Sequence, residues 1–378
     1  MKDGWIEASL GEVITLNYGK ALARKDRNPD GGIPIYGANG VMGWSDHTLT
    51  EGPSIVVGRK GSAGEVTRVD GPFWPSDVTY FTSHDESRLD FGFMNYLLKS
   101  LNLPSMARGV KPGINRNDVY ALKVPLPPLE EQQRIVAVLD EAFEGLARAR
   151  THAEANLADT VQIAARSLEV MLQEIGSRNG SVAIANIAAV KGGKRLPKGE
   201  KTSPNITPYP YISVKDFTED GTVSTKKLGY ISEEVQQSIS RYIISRRDVY
   251  ISIAGTIGKS GIVPSELEGA NLTENAAKLV LERGWSNEYV YWCTRSSEFA
   301  KQASEQTRVA AQPKLALQRL GAIQIPKASE VEQTALCERM NSLRATRAEL
   351  MDSYQKKLQD LDDLRQSLLQ KAFAGELT

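Results

Sequence analysis

The sequence predicts an α+β fold in which two mixed globules of short strands and helices are each followed by one long helix. Three observations predict it. A Gly- and Pro-rich composition with short β-branched runs occurs twice, two long proline-free segments carry apolar residues at steps of three and four, and the same anchors recur in both halves. We therefore expect an internal repeat with an approximate two-fold axis, whose two long helices form an antiparallel coiled coil.

The composition is that of an ordinary soluble protein with two or three domains. The 378 residues are 41% hydrophobic and 24% charged, which is close to the average for globular chains. Cys293 and Cys337 provide no disulfide framework and are typical of a reducing cytoplasm. The three histidines lack the spacing of zinc ligands, and no apolar run approaches the length of a membrane span. We expect a cytoplasmic protein without a metal site.

The two globular segments are predicted at residues 1–127 and 180–326. In the first, short runs bounded by Gly and Pro read as strands, namely "PSIVVG" at 53–58, "DVTYF" at 77–81 and "KVPL" at 123–126. Such runs between turn residues are typical of short strands rather than helices. The same composition returns at residue 180, so a second globule of the same class is expected.

The two long helices are predicted at residues 128–179 and 327–378. Pro128 suits a first helical turn, because its missing N–H costs nothing there, and Glu130 and Glu131 complement the helix dipole. Gly176 is the predicted stop of the first helix. Ser329 to Glu332 forms a capping box that opens the second, which is expected to end near Gly375.

Each long helix carries a narrow apolar seam, and two such seams in one chain most simply bury each other. The first seam comprises Val136, Leu139, Phe143, Leu146, Ala153, Leu157, Val161, Ala164, Leu168, Met171 and Ile175, and the second comprises Leu336, Met340, Leu343, Leu350, Tyr354, Leu361, Leu364 and Leu368. Arg150 and Arg347 interrupt them. Their partners are predicted among Asn156, Asp159 and Asp352, with a solvated position at the edge of the seam as the alternative.

The repeat is visible residue by residue. Gly19-Lys20 corresponds to Gly193-Lys194, "IPIY" at 33–36 to "YPYI" at 209–212, and "GSAG" at 61–64 to "GTIG" at 255–258. Six further positions correspond at one constant offset of 201 residues: Pro112, Ile114, Val119, Pro125, Glu131 and Gln132 match Pro313, Leu315, Leu320, Pro326, Glu332 and Gln333. Six matches in one register indicate a duplicated globule-plus-helix unit.

The segment "SIAGTIGKSG" at 252–261 superficially resembles a phosphate-binding loop. A P-loop requires four residues between its first glycine and the Gly-Lys pair, and that position holds Ile253 rather than glycine. The equivalent "GSAG" has no Lys-Ser after it. A nucleotide site is therefore disfavoured, and two interpretations stay open: a turn whose exposed N–H groups approach a ligand, or a plain hairpin turn.

Zero net charge over the whole chain conceals an uneven distribution. Residues 180–326 hold 19 Lys and Arg against 14 Asp and Glu, a net charge of +5, whereas residues 128–179 hold 5 against 9. A basic globule is weakly indicative of phosphate binding.

The chain resembles the specificity subunit of type I restriction–modification systems. The resemblance is carried by two stretches, "GVKPGINRNDVYALKVPLPPLEEQQRIVAVLD" at 109–140 and "LRQSLLQKAFAGELT" at 364–378. It implies two target-recognition domains that each read one half of a bipartite double-stranded DNA site, and a helical pair that sets the spacing. It also implies docking of two adenine-N6 methyltransferase (modification) subunits, with restriction/translocase subunits joining the full complex.

The resemblance further implies a non-catalytic subunit without cofactors of its own, because methylation and cleavage reside in the partners. S-adenosylmethionine, Mg²⁺ and ATP are then expected only on those partner subunits, and no membrane is involved. The alternative is a coiled-coil scaffold whose globules bind proteins or another ligand. Zero net charge favours the scaffold, whereas basic loops repeated in both halves favour DNA.

DNA contact requires cations and amides on loops. Candidates in the first half are Lys20, Arg24, Lys25, Arg27, Tyr36, Asn39, Arg59, Lys60, Ser62, Arg108, Lys111, Asn115 and Arg116. Candidates in the second half are Lys191, Lys194, Arg195, Lys198, Lys201, Thr256, Lys259, Ser260, Arg308, Gln312 and Lys314. Tyr36 and Asn39, in a Gly-flanked loop, are the candidates for stacking on or reading a base.

Overall fold

The computed structural model describes residues 2–307 and 313–377 of the chain, and these form two compact units. The first unit contains residues 2–155 and 354–377, and the second contains residues 156–307 and 313–353. Each unit therefore combines one globular segment with parts of both long helices.

The first half of the chain alternates short strands with helices up to the first long helix. Its strands are β1 (Ile6–Ser9), β2 (Ile14–Tyr18), β3 (Ile33–Gly37), β4 (Gly40–Ser45), β5 (Ser54–Gly58), β6 (Val66–Val69), β7 (Trp74–Pro75), β8 (Thr79–His84) and β9 (Lys123–Leu126). Its helices are α1 (Leu10–Val13), α2 (Phe91–Ser100), α3 (Arg116–Tyr120) and α4 (Leu129–Asn179).

The second half repeats this order with extra helices. Its strands are β10 (Ser181–Ala183), β11 (Ala188–Gly192), β12 (Pro210–Ile212), β13 (Gly229–Tyr230), β14 (Val249–Ser252), β15 (Ser260–Gly261), β16 (Asn271–Leu272), β17 (Ala276–Leu281) and β18 (Gln324–Pro326). Its helices are α5 (Glu233–Ser238), α6 (Asn287–Thr294), α7 (Ser297–Gln306), α8 (Leu317–Ala322) and α9 (Glu330–Ala374).

The sheets of the two units have the same topology. In the first unit the strand orders are β2-β8-β5-β6, β4-β3-β7 and β1-β9, and in the second they are β11-β17-β14-β15, β13-β12-β16 and β10-β18. Numbered along each half, the strands correspond one to one. The predicted internal repeat is therefore confirmed, and both units are mixed α/β globules as expected.

Backbone contacts also confirm the predicted correspondence of individual anchors. The amide of Lys20 donates to the carbonyl of Pro75 over 2.9 Å, and the amide of Lys194 donates to that of Leu272 over 2.8 Å. Tyr36 lies beside Pro75 in the parallel β3–β7 pair, as Ile212 lies beside Leu272 in the parallel β12–β16 pair. The matched motifs thus occupy the same places in the two folds.

The long helices lie close to their predicted bounds, with one correction. Helix α4 runs through Gly176 and ends at Asn179, followed by Gly180 at φ +73°. The predicted stop at Gly176 is therefore wrong: a glycine inside a helix costs only about 1 kcal/mol, and the left-handed residue that ends the helix comes four residues later. Helix α9 ends one residue before Gly375, at φ +79°, as predicted.

The predicted capping box at the start of α9 is present. The carboxylate of Glu332 accepts hydrogen bonds from the amide and the hydroxyl of Ser329, each over 2.9 Å. These bonds lower the pKa of Glu332 below its usual value, the bond from the Ser329 amide contributing most. The helix start is therefore specified locally.

Within the first unit the two long helices run antiparallel. Leu139 and Phe143 of α4 share one buried core with Leu369 and Ala372 of α9. Farther along α4, Arg150 forms an ion pair of 2.7 Å with Asp362, so contacts move forward on α4 as they move backward on α9.

The second unit shows the same opposed direction. Leu168 and Ile175 of α4 pack with Leu336 and Met340 of α9 in one core. At the end of α4, the Asn179 amide donates to Glu332, near the start of α9, over 2.9 Å. The predicted antiparallel pairing is confirmed in both units.

Details of the predicted seams are wrong at several positions. Val161, Leu350 and Leu364 are exposed, whereas Leu172 and Leu369 are buried in their place. Arg150 pairs with Asp362 and Glu154 rather than with the predicted residues. The globular segments cover part of each helix, so the buried stripe follows their shape instead of a strict seam.

No helix in residues 2–307 and 313–377 combines the length and the apolarity needed to cross a membrane.

Candidate nucleic-acid interface

A glycine turn joins the inner strand β5 to the edge strand β6 in the first unit. Residues 58–65 form this first glycine turn, in which Gly61 and Gly64 have φ of +80° and +88°. The amide of Gly64 donates to the carbonyl of Gly58 over 2.7 Å. Positive φ is strained for residues with a Cβ, so glycine is required at both positions.

The second unit builds the same turn between β14 and β15. In this second glycine turn, residues 252–259, Gly255 and Gly258 have φ of +77° and +90°, and the amide of Gly258 donates to the carbonyl of Ser252 over 2.9 Å. Both turns join antiparallel neighbouring strands, which is compatible with either interpretation of the segment.

Most backbone N–H groups after Thr256 in the second turn are not available to a ligand. The amides of Ile257 and Gly258 donate to carbonyls inside the turn, and the amide of Lys259 donates to the Ser252 hydroxyl over 2.9 Å. These donors cannot wrap a phosphate while they hold the turn together, so any ligand contact from this turn falls mainly to side chains.

Two neighbouring loops contact the first glycine turn. The carbonyl of Ala38, in the turn between β3 and β4, lies 3.0 Å from where a Cβ on Gly58 would stand. On another side, Gly61 donates to the carbonyl of Pro112 over 2.9 Å. The loop that contains Pro112 is closed by reciprocal backbone bonds between Arg108 and Gly113 of 2.9 and 3.0 Å.

These contacts bring three groups of predicted residues together. Asn39 follows Ala38, Lys60 and Ser62 belong to the first glycine turn, and Arg108 and Lys111 belong to the neighbouring loop; all five are exposed. They are separated by up to 72 positions in the chain, so only the fold makes them one surface.

Tyr18 joins this surface through two arginines. The guanidinium carbons of Arg59 and Arg116 lie 5.3 and 5.0 Å from the centroid of the Tyr18 ring. The Arg59 guanidinium also donates to the carbonyl of Asp77, with an Nε–O distance of 3.1 Å. Cation–π contacts hold long cationic side chains in place, so two positive charges are positioned beside the first glycine turn.

The predicted cations Lys20, Arg24, Lys25 and Arg27 lie along the three-stranded sheet of the first unit. The indole of Trp74 donates to the carbonyl of Lys20 over 2.7 Å, and Arg27 forms an isolated bridge with Ser45 at the end of β4. Arg24 and Lys25, in the 3₁₀ turn before Arg27, are exposed. This cluster therefore follows the β4-β3-β7 sheet.

In the second unit, part of the predicted positive charge is already paired. Arg195 forms an ion pair of 2.6 Å with Glu274, and this hydrogen bond raises the pKa of the Arg195 guanidinium. The Lys194 ammonium lies 5.7 Å from the centroid of the Tyr242 ring. Lys194 therefore presents the less compensated charge of the two.

A cleft of about 660 Å³ opens beside the second glycine turn. Its lining includes Lys215, Thr256, Lys259 and Asn275. Lys259 is paired with Glu219 over 2.8 Å, and the bond from Lys259 lowers the pKa of the Glu219 carboxyl. Because the charge of Lys259 is compensated, the cleft combines the positive charge of Lys215 with neutral hydrogen-bonding groups on one concave surface.

Comparison with known families places this duplicated fold. The model of the type I restriction modification DNA specificity domain matches residues 2–154 and 178–359. The chain belongs to this family. Among curated proteins, a putative type I restriction enzyme specificity subunit from Haemophilus influenzae is 24% identical over 298 residues, which cover 75% of this chain and 74% of the relative.

Solved specificity subunits share the fold. The HsdS subunit from Thermoanaerobacter tengcongensis matches with a TM-score of 0.62 at 16% identity, covering 100% of this chain and 98% of that one. A chain from a structure concerned with complex assembly and conformational transition of the type I R-M system matches with a TM-score of 0.73 at 17% identity, covering 100% and 99%. The two globules therefore have the fold of solved specificity subunits, and each lies within a segment that the specificity-domain model matches.

Two predicted contact residues of this specificity subunit are misplaced. Ser260 is fully buried and its hydroxyl lies 2.7 Å from that of Thr294, so its candidacy for DNA contact is wrong. It is the first residue of β15, where it points into the core while Lys259 points outward. Tyr36 lies in β3 rather than in a loop, and its ring packs edge-on against Phe73 at 5.6 Å, so it is not free to stack on a base.

The remaining predicted residues stay candidates. Arg308 and Gln312 lie outside the described residues. In the second unit Lys191, Lys198, Lys201 and Lys314 are exposed, with Lys191 opposite Lys278 in the β11–β17 pair. Asn115 is exposed but accepts a hydrogen bond from the Asn117 amide as the cap of α3.

Three residues beside the glycine turns were missed from the sequence: Tyr18, Lys215 and Asn275. Lys215 corresponds to Asn39, because the register of the three-stranded sheets aligns Ile212 with Tyr36 and both residues follow three positions later. The repeat could have found Lys215 through that match. Tyr18 and Asn275 carried no signal, because their partners are distant in the chain.

In the described ranges, no group of three or more His, Cys, Asp or Glu side chains is placed to hold a metal ion.

Proposed function

We propose that this specificity subunit is the DNA sequence-recognition component of a type I restriction–modification complex, with each unit reading one half of a bipartite double-stranded target. One observation carries the proposal: equivalent glycine turns, on equivalent four-stranded sheets, are surrounded by cations and side-chain amides in both units. A DNA-contacting surface that occurs once in each unit suits a target that consists of two half-sites.

The cations suit the DNA backbone and the amides suit base edges. Arg59, Arg116 and Lys194 are held by aromatic rings, which reduces the side-chain entropy lost when a phosphate binds. Lysine and arginine contacts to phosphates supply affinity without sequence information, whereas amides in the grooves supply discrimination. Both kinds of group occur beside each glycine turn.

We further propose that the paired helices set the gap between half-sites and dock two adenine-N6 methyltransferase subunits. Helix α4 leaves several large apolar side chains uncovered by this chain, namely Val138, Val161, Ile163 and Val170. Apolar residues on an otherwise polar helix are typical of a surface that packs on partner helices.

The chain itself is proposed to be non-catalytic and cytoplasmic. Methylation and cleavage are assigned to partner subunits, which would bind S-adenosylmethionine, Mg²⁺ and ATP, with the restriction/translocase subunits joining the full complex. The departure of residues 252–259 from P-loop spacing, and the use of its amides inside the turn, support a reading role rather than nucleotide binding.

Methylome sequencing tests the function. Cells that express this chain together with a cognate modification subunit should carry N6-methyladenine in one bipartite motif, and deletion of this chain alone should abolish that motif. Paired seven-residue insertions after Gly145 in α4 and Asp363 in α9 should lengthen the helices by about 10 Å. The gap should then widen by about three base pairs. Retention of the motif after deletion would refute the function, and altered half-sites after insertion would refute the spacer role.

A further inference from the structure

One position anchors the glycine turn in both units. In the second unit the carbonyl of Asn275 accepts hydrogen bonds from the amides of Ile253 and Ala254, over 2.8 and 3.3 Å. In the first unit the carbonyl of Val78 accepts from Arg59 and Lys60, over 2.8 and 3.2 Å. The backbone at this position is therefore held identically, and only the side chain differs.

Asn275 lines the cleft beside the second glycine turn and is half-buried there. No described residue forms a hydrogen bond with its side-chain amide, although its backbone is fixed by two bonds. An asparagine amide has two donors and an acceptor with two lone pairs. The backbone of Asn275 is thus fixed by two bonds, while the donors and the acceptor of its side chain face the cleft without a partner among the described residues.

The rest of the cleft favours DNA as the occupant. Lys215 is exposed at its edge, and Lys259 and Thr256 lie on the glycine turn. Lys259 is paired with Glu219, so Lys215 is the lysine of this cleft that would attract phosphates and bring a duplex against it. Among base edges in the major groove, adenine offers the N7 acceptor beside the N6 donor, the pattern that an asparagine amide matches with two hydrogen bonds.

We propose that Asn275 is a specificity-determining residue that reads an adenine in the half-site bound by the second unit. The inference rests on the proposed function and deepens it. Val78 occupies the corresponding position in the first unit and has no hydrogen-bonding side chain, so the first unit reads its half-site without an amide at this position.

Selection from a randomised duplex library tests the proposal with the full-length chain in its complex with the modification subunits. The wild-type chain should enrich a bipartite motif that includes an invariant adenine. Asn275→Ala should relax that single position by roughly 10- to 100-fold, with the other half-site unchanged. Asn275→Asp should shift the preference toward cytosine, because a carboxylate accepts from the cytosine amino group.

Matched variants distinguish base recognition by Asn275 from phosphate binding and from effects on folding. Asn186→Ala removes an exposed asparagine amide of the second unit outside the cleft, and should leave the motif unchanged. Lys215→Ala should weaken binding to all sequences and lower the salt slope by about one, whereas Asn275→Ala should leave the salt slope unchanged. Asn275→Val installs the residue of the first unit, and circular dichroism should show an intact fold.

The failures are distinguishable. If the wild-type chain enriches no bipartite motif, the proposed function itself fails. If the wild-type motif appears and the alanine and valine variants of Asn275 retain it at every position, the inference is overturned. Uniform loss of affinity without relaxed sequence preference would also overturn it.

Discussion

The two glycine turns have the same backbone but opposite distributions of charge. In the first turn, Arg59 and Lys60 precede the glycines and Glu65 follows them. In the second turn, Ile253 and Ala254 stand before the glycines and Lys259 after them. The equivalent glycines differ in φ by only a few degrees. The backbone conformation of the turn therefore does not determine whether the cations precede or follow the two glycines.

The difference shows how one fold can present two surfaces. Positive φ and internal hydrogen bonds require the glycines and fix the course of the chain. The exposed side chains around them, such as Lys60 and Thr256, can change without altering the turn, whereas Ile253 is buried in the core of the second unit. In a specificity subunit this separation suits two half-sites of different sequence.

The starts of the two long helices share a side-chain contact although their first residues differ. Helix α4 follows Pro128, whereas α9 begins with the Ser329–Glu332 capping box, yet one buried glutamine makes the same three hydrogen bonds in each. Gln132 accepts from the Asp90 amide over 2.8 Å and donates to the carbonyls of Arg88 and Pro127, both over 2.9 Å. Gln333 accepts from Ser286 over 2.7 Å and donates to Gly284 and Ala328, over 2.9 and 3.1 Å. This buried glutamine fastens each long helix to its globule.

The largest effect is expected from removing these glutamines. Gln132→Ala and Gln333→Ala should each lower the free energy of unfolding by roughly 2 kcal/mol, because each leaves one buried carbonyl, and a partly buried amide and carbonyl, without their partner. Urea denaturation measures the loss, and hydrogen exchange should locate it in the first unit for Gln132→Ala and in the second for Gln333→Ala.

An exposed glutamine provides the control for this pair. Gln237→Ala, on α5, should change stability by no more than about 0.5 kcal/mol. If only one of the two buried glutamines lowers the free energy of unfolding when it is replaced, the two helix starts are not energetically equivalent, although their hydrogen bonds match.

A smaller effect is expected from the cations of the second unit. Lys194→Ala combined with Arg195→Ala should weaken binding to all DNA and flatten the dependence of log K on log salt by one to two units, at about 0.9 per phosphate contact. Most of the change should come from Lys194, because Arg195 is already paired with Glu274. Titrations at several salt concentrations measure it.

A matched pair on α9 controls for general charge. Lys356→Ala with Lys357→Ala removes two adjacent exposed lysines and should leave the slope nearly unchanged. If the salt dependence of the Lys194/Arg195 variant is unchanged, these two residues do not contact phosphates. The cations of the second unit would then not match those predicted to contact phosphates in the first unit.

The smallest effect is expected at the helix caps. Ser329→Ala should destabilise the second unit by about 1 kcal/mol. The cap of α9 depends on pH: the pKa of Glu332 is held below its usual value, so its stabilisation is present above the unfolded pKa of about 4.3 and is lost as pH falls. The difference between wild type and variant should therefore shrink in urea titrations below about pH 4.

Local signals predicted much of the fold correctly. The repeat, both long helices and the Ser329–Glu332 cap were all readable, because capping residues and apolar periodicity act over a few positions. The stop at Gly176 failed for a physical reason. A glycine ends a helix only where the chain adopts positive φ, and the chain reaches that conformation at Gly180.

The contact residues were less predictable than the fold. Clusters of cations on loops marked the surface around Asn39, Lys60 and Lys111, yet the same reasoning included Ser260, which strand alternation turns into the core. The pairing of Arg150 with Asp362 could not be read either, because the register of two helices is decided by what their globules bury.

The sequence alone established that this chain is a duplicated globule-plus-helix protein with two long helices, because the repeated anchors and the apolar periodicity are visible in it. The antiparallel direction of the helices was an expectation that tertiary contacts confirmed. Folding alone brought Tyr18 between Arg59 and Arg116 and set Asn275 beside the second glycine turn. These contacts join residues up to about a hundred positions apart in the chain. No short stretch of sequence encodes how the sheets pack, and this packing determines which residues face the same surface.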